Sequence, residues 1–530
     1  MAIIDNLTLR DTFTKELPSD PITTNTRRQV LKACYSFVTP KKTAAPKLIS
    51  TSKEVGALLG LTTQELNTKA FVDILTGNEV LKNTQPYAMC YGGHQFGNWA
   101  GQLGDGRAIN LTAIEHQGKQ WILQLKGAGP TPYSRSADGL AVLRSSIREY
   151  LCSESMFHLG VPTTRALSLA LTGDEVLRDM LYNGNTAYEK GAVVCRVAPS
   201  FIRFGNFEIF TARQDVETLK QLTDYTIRHF YPELGAPSKE VYVQFFAEVV
   251  KRTMDMVLHW QRVGFVHGVM NTDNFSILGL TIDYGPYGWL EGYDPDWTPN
   301  TTDRGQRRYR FGNQPQVAFW NLIQLANVLV PLIEATEPIE AILKQFQANY
   351  GPAYFKMMRA KLGLAQELEE DTTLITDLLA VLPLTETDMT IFFRNLANFD
   401  ENVDIDSVQD ASFLATVSAA FYKPEELKED ILEQWKVWFQ KYSARLKIEA
   451  NSNEVRKKSM NQHNPKYVLR NYMAQLAIDA ADEGNYALIE ELLELLRRPY
   501  EEQPNAEKWF AKRPEWARNK VGCSMLSCSS

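Results

Sequence analysis

Residues 267–285 read His-Gly-Val-Met-Asn-Thr-Asp-Asn-Phe-Ser-Ile-Leu-Gly-Leu-Thr-Ile-Asp-Tyr-Gly: a polar loop followed by a second apolar run that stops at Asp-Tyr-Gly. Just ahead of them, Gly264-Phe265-Val266 forms a short apolar strand. Asn274 and Asp283 each sit at the edge of an apolar stretch. Two oxygen ligands so placed suit a hard divalent cation that bridges phosphates. Taken alone, Asp-Tyr-Gly is equally an ordinary turn, and His267 a satisfied core histidine.

Working upstream, Gly101-Gln102-Leu103-Gly104-Asp105-Gly106-Arg107 leads into a strand. Glycines let backbone N–H groups approach phosphate oxygens, and Arg107 adds charge, although a plain turn between strands has the same look. Ala108–Ile114 and Gln120–Lys126 read as a β-hairpin around His116-Gln117-Gly118-Lys119. Lys126 ends an apolar strand and can face either a phosphate or solvent. A helix follows, with Leu140, Leu143, Ile147, Tyr150 and Leu151 at three- and four-residue spacing and Gly160 as its stop. It carries Glu149, a solvated charge by itself but an ion-pair partner if Lys126 lies opposite.

Glycine-rich hairpin, strand lysine, helix glutamate, His-to-Asn loop and Asp-x-Gly occur in the order of the protein-kinase signature set. The expected fold is therefore α+β, protein-kinase-like and two-lobed: a β-rich N-lobe, a helical C-lobe and a helical C-terminal extension. One position departs. Two residues after His267, where a kinase has its catalytic aspartate, stands Val269, which accepts no proton. Asp273 is the nearest carboxylate in sequence.

Elsewhere, Ser52–Leu59 reads as a short helix capped by Thr51 with Glu54 closing a capping box. Ala166–Leu171 and Ala192–Val197 read as strands, and Val241–Val263 as a long helix. From Val317 onward the pattern is helical, including a stripe of Leu427, Ile431, Trp435, Trp438 and Tyr442 opened by Pro424, and a second at Leu488–Leu496. Length suggests about three units. The motifs divide the chain into an N-terminal region and N-lobe (1–195), a C-lobe (196–350), a helical extension (351–505) and a mobile tail (506–530) holding Cys523 and Cys528.

With 56 Lys+Arg against 63 Asp+Glu, the net charge of −7 argues against a general nucleic-acid or anionic-membrane binder. No uninterrupted run approaches the ~18–20 apolar residues of a membrane span. The start, Met-Ala-Ile-Ile-Asp-Asn-Leu-Thr, has no secretory character, so a cytoplasmic protein is expected. Cys34, Cys90, Cys152 and Cys195 are scattered singly, without the paired spacing of zinc ligands.

The chain closely resembles the selenoprotein O family, kinase-like proteins that move AMP in place of phosphate. The resemblance is carried by Glu16–Pro21, Tyr91–Gly97, Leu103–Ala108, Leu125–Gly129, Pro132–Arg135, Asp138-Gly139, Arg144–Glu149, His267–Phe275, Thr281–Pro286, Asn464–Asn471 and Cys528-Ser529-Ser530. It implies protein adenylylation, with AMP from ATP placed on Ser, Thr or Tyr hydroxyls of proteins, the enzyme itself included, and pyrophosphate released from a nucleotide lying reversed. It further implies that Gly104, Gly106, Arg107, Lys126, Asp138, Gly139, Arg196 and Arg203 bind ATP and that Glu149 orients Lys126. Asn274 and Asp283 hold Mg²⁺ or Mn²⁺, and Asp273 is the base.

Read from residues alone, Arg196 and Arg203 would be exposed strand-edge charges. Deleting Asp283 at a cleft edge would empty no core and leave the fold intact. Two other readings stand beside the first: a protein or small-molecule kinase using Asp273, and a nucleotide-binding pseudokinase scaffold, which Val269 favours and the metal pair disfavours. The family's selenocysteine position holds Cys528, a weaker nucleophile than a selenol at neutral pH. Tyr293–Asn300 contains no cysteine to join it. That leaves pairing of Cys523 with Cys528, or free thiols, as the forms a redox role would take.

Overall fold

The computed structural model describes residues 7–405, 411–449 and 451–527. Nine strands make one antiparallel sheet: β1 (Thr8–Leu9), β2 (Tyr35–Phe37), β3 (Lys47–Thr51), β4 (Tyr87–Met89), β5 (Ala108–His116), β6 (Lys119–Lys126), β7 (Ala141–Val142), β8 (Arg165–Asp179) and β9 (Thr186–Ala198). The order is β2-β4-β5-β6-β9-β8-β3, with β1 beside β5 and β7 beside β9. The β5–β6 hairpin turns on Gln117 and Gly118, both left-handed (φ 50° and 72°), the twist that a two-residue hairpin needs. β8 and β9 run well past their expected apolar cores. Their outer halves are polar, with Glu175 opposite Lys190 and Arg178 opposite Ala187, so cross-strand pairing extends them where hydrophobic pattern does not.

Against this sheet lies helix α1 (Leu143–His158), which starts three residues later than expected because Ala141–Val142 pair with β9. Gly160 follows at φ 74°. Helices α2 (Phe204–Ala212) and α3 (Lys239–Val263) come next, the latter capped by Ser238 and stopped by left-handed Gly264. The run after the polar loop does not become a strand. Thr281 makes isolated bridges to Thr163 and Phe275, because its neighbours are loops rather than extended chain. The early helix is Lys53–Leu58, capped by Ser52 and not Thr51. Glu54 closes no capping box there and pairs instead with His158 and Arg165.

Helix α4 (Gln314–Ile333), with the turn before it, is long and apolar enough to cross a membrane by composition, at mean hydropathy 1.5. Counting uninterrupted runs missed it because Asn321, Gln324 and Asn327 break them. It packs in the main core, and Asn321 Nδ2 donates to Met270 O at 3.0 Å, tying it to the loop of residues 267–274.

The helical last third divides between two cores. Residues from Met358 to Met460, including Trp435, Trp438 and Tyr442, form a second hydrophobic cluster. Tyr467 to Leu496 instead join the main cluster. Pro424 opens a 3-10 turn, and the helix proper is Glu429–Leu446. The tail expected to be mobile is packed as far as it is described. Leu526 N donates to Pro299 O, Thr301 N to Leu526 O, and Leu526 and Ser527 are fully buried. Apolar burial outweighs the small, polar composition that suggested disorder.

Between these parts lies a fully buried ion pair: Arg470 meets Asp388 through two hydrogen bonds of 2.7 and 2.9 Å. Asp388 also caps the helix Met389–Leu396. Asp388→Ala strands a buried guanidinium and is expected to cost about 3–5 kcal/mol. Urea unfolding reads this directly, and a loss below about 1 kcal/mol would show that the pair contributes no more than a surface one.

Candidate nucleotide and metal site

A cleft of about 350 Å³ opens between the sheet and the 267–285 segment. Its roof is the glycine-rich loop. Gly104 is left-handed (φ 79°), and a Cβ there would lie 2.3 Å from the Tyr133 ring, so only glycine fits. Asp105 pins the loop: its Oδ2 accepts from Met89 N and Asn110 Nδ2, and its carbonyl accepts from Thr131 Oγ1. Gly106 and Arg107 line the cleft beyond.

Below the roof runs a ladder of alternating charge. Lys126 Nζ meets Glu149 Oε2 at 2.5 Å, so the strand lysine and helix glutamate do pair. Burial lowers the Lys126 ammonium, and Glu149 opposes that shift. The β6–β9 register sets Arg196 beside Gln124, to which it donates. Arg196 Nη1 also lies 3.1 Å from Glu149 Oε1 and 2.5 Å from Asp283 Oδ1. Arg203, at the start of α2, takes Asp283 Oδ2 at 2.5 Å and the carbonyl of Asp273 at 2.7 Å. Both arginines are about 1% exposed, so they are buried cleft groups and not strand-edge charges. Burial alone would raise the Asp283 carboxyl, but Arg203, Arg196 and Lys126 hold it well below the usual carboxylate range. Asp283 is itself left-handed (φ 59°), a backbone strain that the surrounding pairs sustain.

On the floor, Asn274 Nδ2 donates to Val269 O at 3.0 Å, so its amide oxygen is the atom left for a cation. An ionised carboxylate and an amide oxygen on one cleft are a donor set that fits a hard divalent ion. His267 does structural work: its Nε2 donates to Ile282 O at 2.9 Å, and burial lowers the pKa of its ring.

Asp273 is covered by a flap, residues 92–100. His94 N donates to Thr272 Oγ1 at 2.7 Å, and the His94 ring contacts Glu208 of α2 at 2.8 Å. Gln95 Nε2 donates to Asp273 Oδ2 at 3.2 Å. Among the described residues, Asp273 Oδ1 is buried without a hydrogen-bond partner. Burial pushes this carboxyl up to about 7, with Arg203 and Gln95 opposing. A carboxylate so placed is a competent proton acceptor near neutrality.

Of the residues singled out in the sequence, Gly104, Gly106, Arg107, Lys126, Arg196, Arg203, Asp273, Asn274 and Asp283 all line this cleft, with Glu149 directly behind Lys126. Asp138 and Gly139 do not line it. Asp138 is turned to Arg178, with bonds of 2.7 and 2.9 Å, and Gly139 packs on Gly129. Cys523 is buried and its thiol pushed up to about 11 by burial, the reverse of a reactive thiol. Cys528 lies outside the described residues. Gln95, Tyr91, Tyr133 and Arg135 also line the cleft but carry no pattern of their own. Their signal was membership of the runs Tyr91–Gly97 and Pro132–Arg135 that carry the family resemblance, which assigned none of them a role.

A glycine-roofed cleft with a lysine–glutamate pair and two oxygen-bearing side chains, Asn274 and Asp283, along its lining is the class of site that suits a nucleotide's phosphates. The chain belongs to the protein adenylyltransferase SelO family, whose profile matches residues 22–497. It is similar to the protein nucleotidyltransferase YdiU of Flavobacterium johnsoniae, 62% identical over 525 residues that cover 99% of this chain and 100% of the relative. The same-named proteins of Rhodopirellula baltica and Aromatoleum aromaticum are each 55% identical, over 99% of this chain and 99% and 100% of theirs. The chain is accordingly an enzyme of the nucleotidyltransferase class.

Proposed function

We propose that this chain is a two-lobed, protein-kinase-like enzyme that transfers AMP from ATP to Ser, Thr or Tyr hydroxyls of proteins, itself included. In this reading Asp273 Oδ1 takes the hydroxyl proton, the oxygen forms a bond to the α-phosphorus, and the bond to the β-phosphate oxygen breaks. Pyrophosphate leaves with the electron pair. The observation that carries the reading is Asp273: a buried carboxylate with one oxygen held by Gln95 and the other unpartnered, on a cleft where Val269 occupies the usual kinase base position.

Asn274 and Asp283 would hold Mg²⁺ or Mn²⁺, which neutralises phosphate charge when bound. Lys126, Arg196 and Arg203 supply fixed positive charge where pyrophosphate charge develops, with no reorganisation needed at that moment. Gly104, Gly106 and Arg107 cradle the nucleotide. The family resemblance extends ATP contacts to Asp138 and Gly139, which directly follow the lining residue Ala137 in the chain. The net charge of −7 favours protein partners over nucleic acid or an anionic membrane surface.

Intact-mass measurement after incubation with ATP and Mg²⁺ tests the reaction. An adenylyl adduct on the protein, with α-³²P label retained and γ-³²P label lost, is the expected result. A phosphoryl adduct would favour the kinase reading, and ATP binding without either adduct the scaffold.

A further inference from the structure

Residues 303–310 read Asp-Arg-Gly-Gln-Arg-Arg-Tyr-Arg, four arginines within seven residues on a chain of net charge −7. The loop is built around Asp303, which is 1% exposed and faces inward. Its carboxylate accepts from Arg308 N at 2.9 Å and Tyr309 N at 2.7 Å, and its carbonyl from Arg307 N at 2.7 Å. On the far side, Thr301 is held by Leu526 O. The guanidiniums are thus presented on an ordered frame, which reduces the entropy lost when a partner binds.

Arg310 is taken by Asp296 at 2.9 Å. Arg308 lies over the Trp320 ring, its Cζ 4.8 Å from the centroid, and against Gly97 of the flap. Arg304 and Arg307 are exposed and have no carboxylate within ion-pair distance among the described residues. The loop is continuous with the reactive end of the cleft. Tyr309 Oη accepts from Phe96 N at 2.9 Å, and the next flap residue back, Gln95, holds Asp273. Trp99, on the same flap, is 40% exposed.

We propose that Arg304 and Arg307 dock an acidic segment of the protein substrate beside the acceptor hydroxyl. This rests on the reading of the cleft as a protein-modifying site. Guanidiniums pair bidentately with carboxylates, and a basic patch at the mouth of an otherwise acidic molecule steers acidic partners to that edge. Trp99 adds an exposed apolar ring on the flap that this loop contacts through Tyr309 and Arg308.

Fluorescence anisotropy with a labelled Glu-rich peptide carrying one tyrosine tests the surface without ATP, so its outcome is independent of whether AMP is transferred. The wild-type enzyme is expected to bind it, with affinity falling as salt rises. The Arg304→Glu/Arg307→Glu variant should bind it about tenfold or more weakly. Arg304→Lys/Arg307→Lys should retain most of the affinity, and a Lys-rich peptide of equal length should not bind. Both side chains are exposed, so the melting temperature should stay at the wild-type value. Unchanged affinity in the charge-reversed variant, equal binding of the Lys-rich peptide, or no binding by the wild type would each overturn the assignment.

Discussion

Asp283→Ala is expected to lower AMP transfer by about a thousandfold or more, the several kcal/mol that a bound divalent cation contributes to charge stabilisation. Its second effect is one the local sequence does not reveal. The Asp283 carboxylate sits between Arg196 and Arg203, each at 2.5 Å, and Arg203 has no other carboxylate partner within ion-pair distance among the described residues. Removing one member of a buried pair typically costs about 3–5 kcal/mol, and the low end is expected here because Asp283 is 22% exposed. The expectation of an intact fold is therefore replaced by a measurable loss of stability. Asp283→Asn keeps the shape and hydrogen-bond acceptance of one oxygen and should lose less stability than alanine while losing similar activity. Turnover and urea midpoints on both variants separate the two effects. Near-normal turnover in either would remove Asp283 from the metal site.

Asp273→Asn should reduce kcat by about 10²–10⁴-fold, the usual contribution of a positioned base, with ATP affinity changed only a few-fold. The asparagine remains isosteric and can still meet Gln95, so the flap stays seated and only proton acceptance is lost. Gln95→Leu offers a graded companion. It leaves the carboxylate in place but frees its orientation, and should lower kcat by less than Asp273→Asn does. Single-turnover kinetics against equilibrium ATP binding distinguishes these outcomes. Damage confined to binding in Asp273→Asn would leave the base role without support.

The β5–β6 hairpin, α1 and α3 were legible in the sequence because each depends on local pattern: an alternating strand period, a Gln-Gly turn, apolar residues at helical spacing, a glycine stop. The Lys126–Glu149 pair was legible too, since a strand and the helix after it must lie close. The site's remaining geometry depends on contacts between residues far apart in the chain. Gln95 reaches Asp273 across 178 positions, and Arg203 reaches Asp283 across 80. No local pattern marks such pairs, so Arg196 and Arg203 read as surface charges until folding buried them around one carboxylate. Asp138 turned to Arg178 and the tail's burial through Ser527 are likewise settled by what the distant chain offers as a partner. Residue type and order along the chain thus determined which chemical groups the cleft would contain. Tertiary packing decided which of them face one another, because the free energy of a buried charge is set by its neighbours in space.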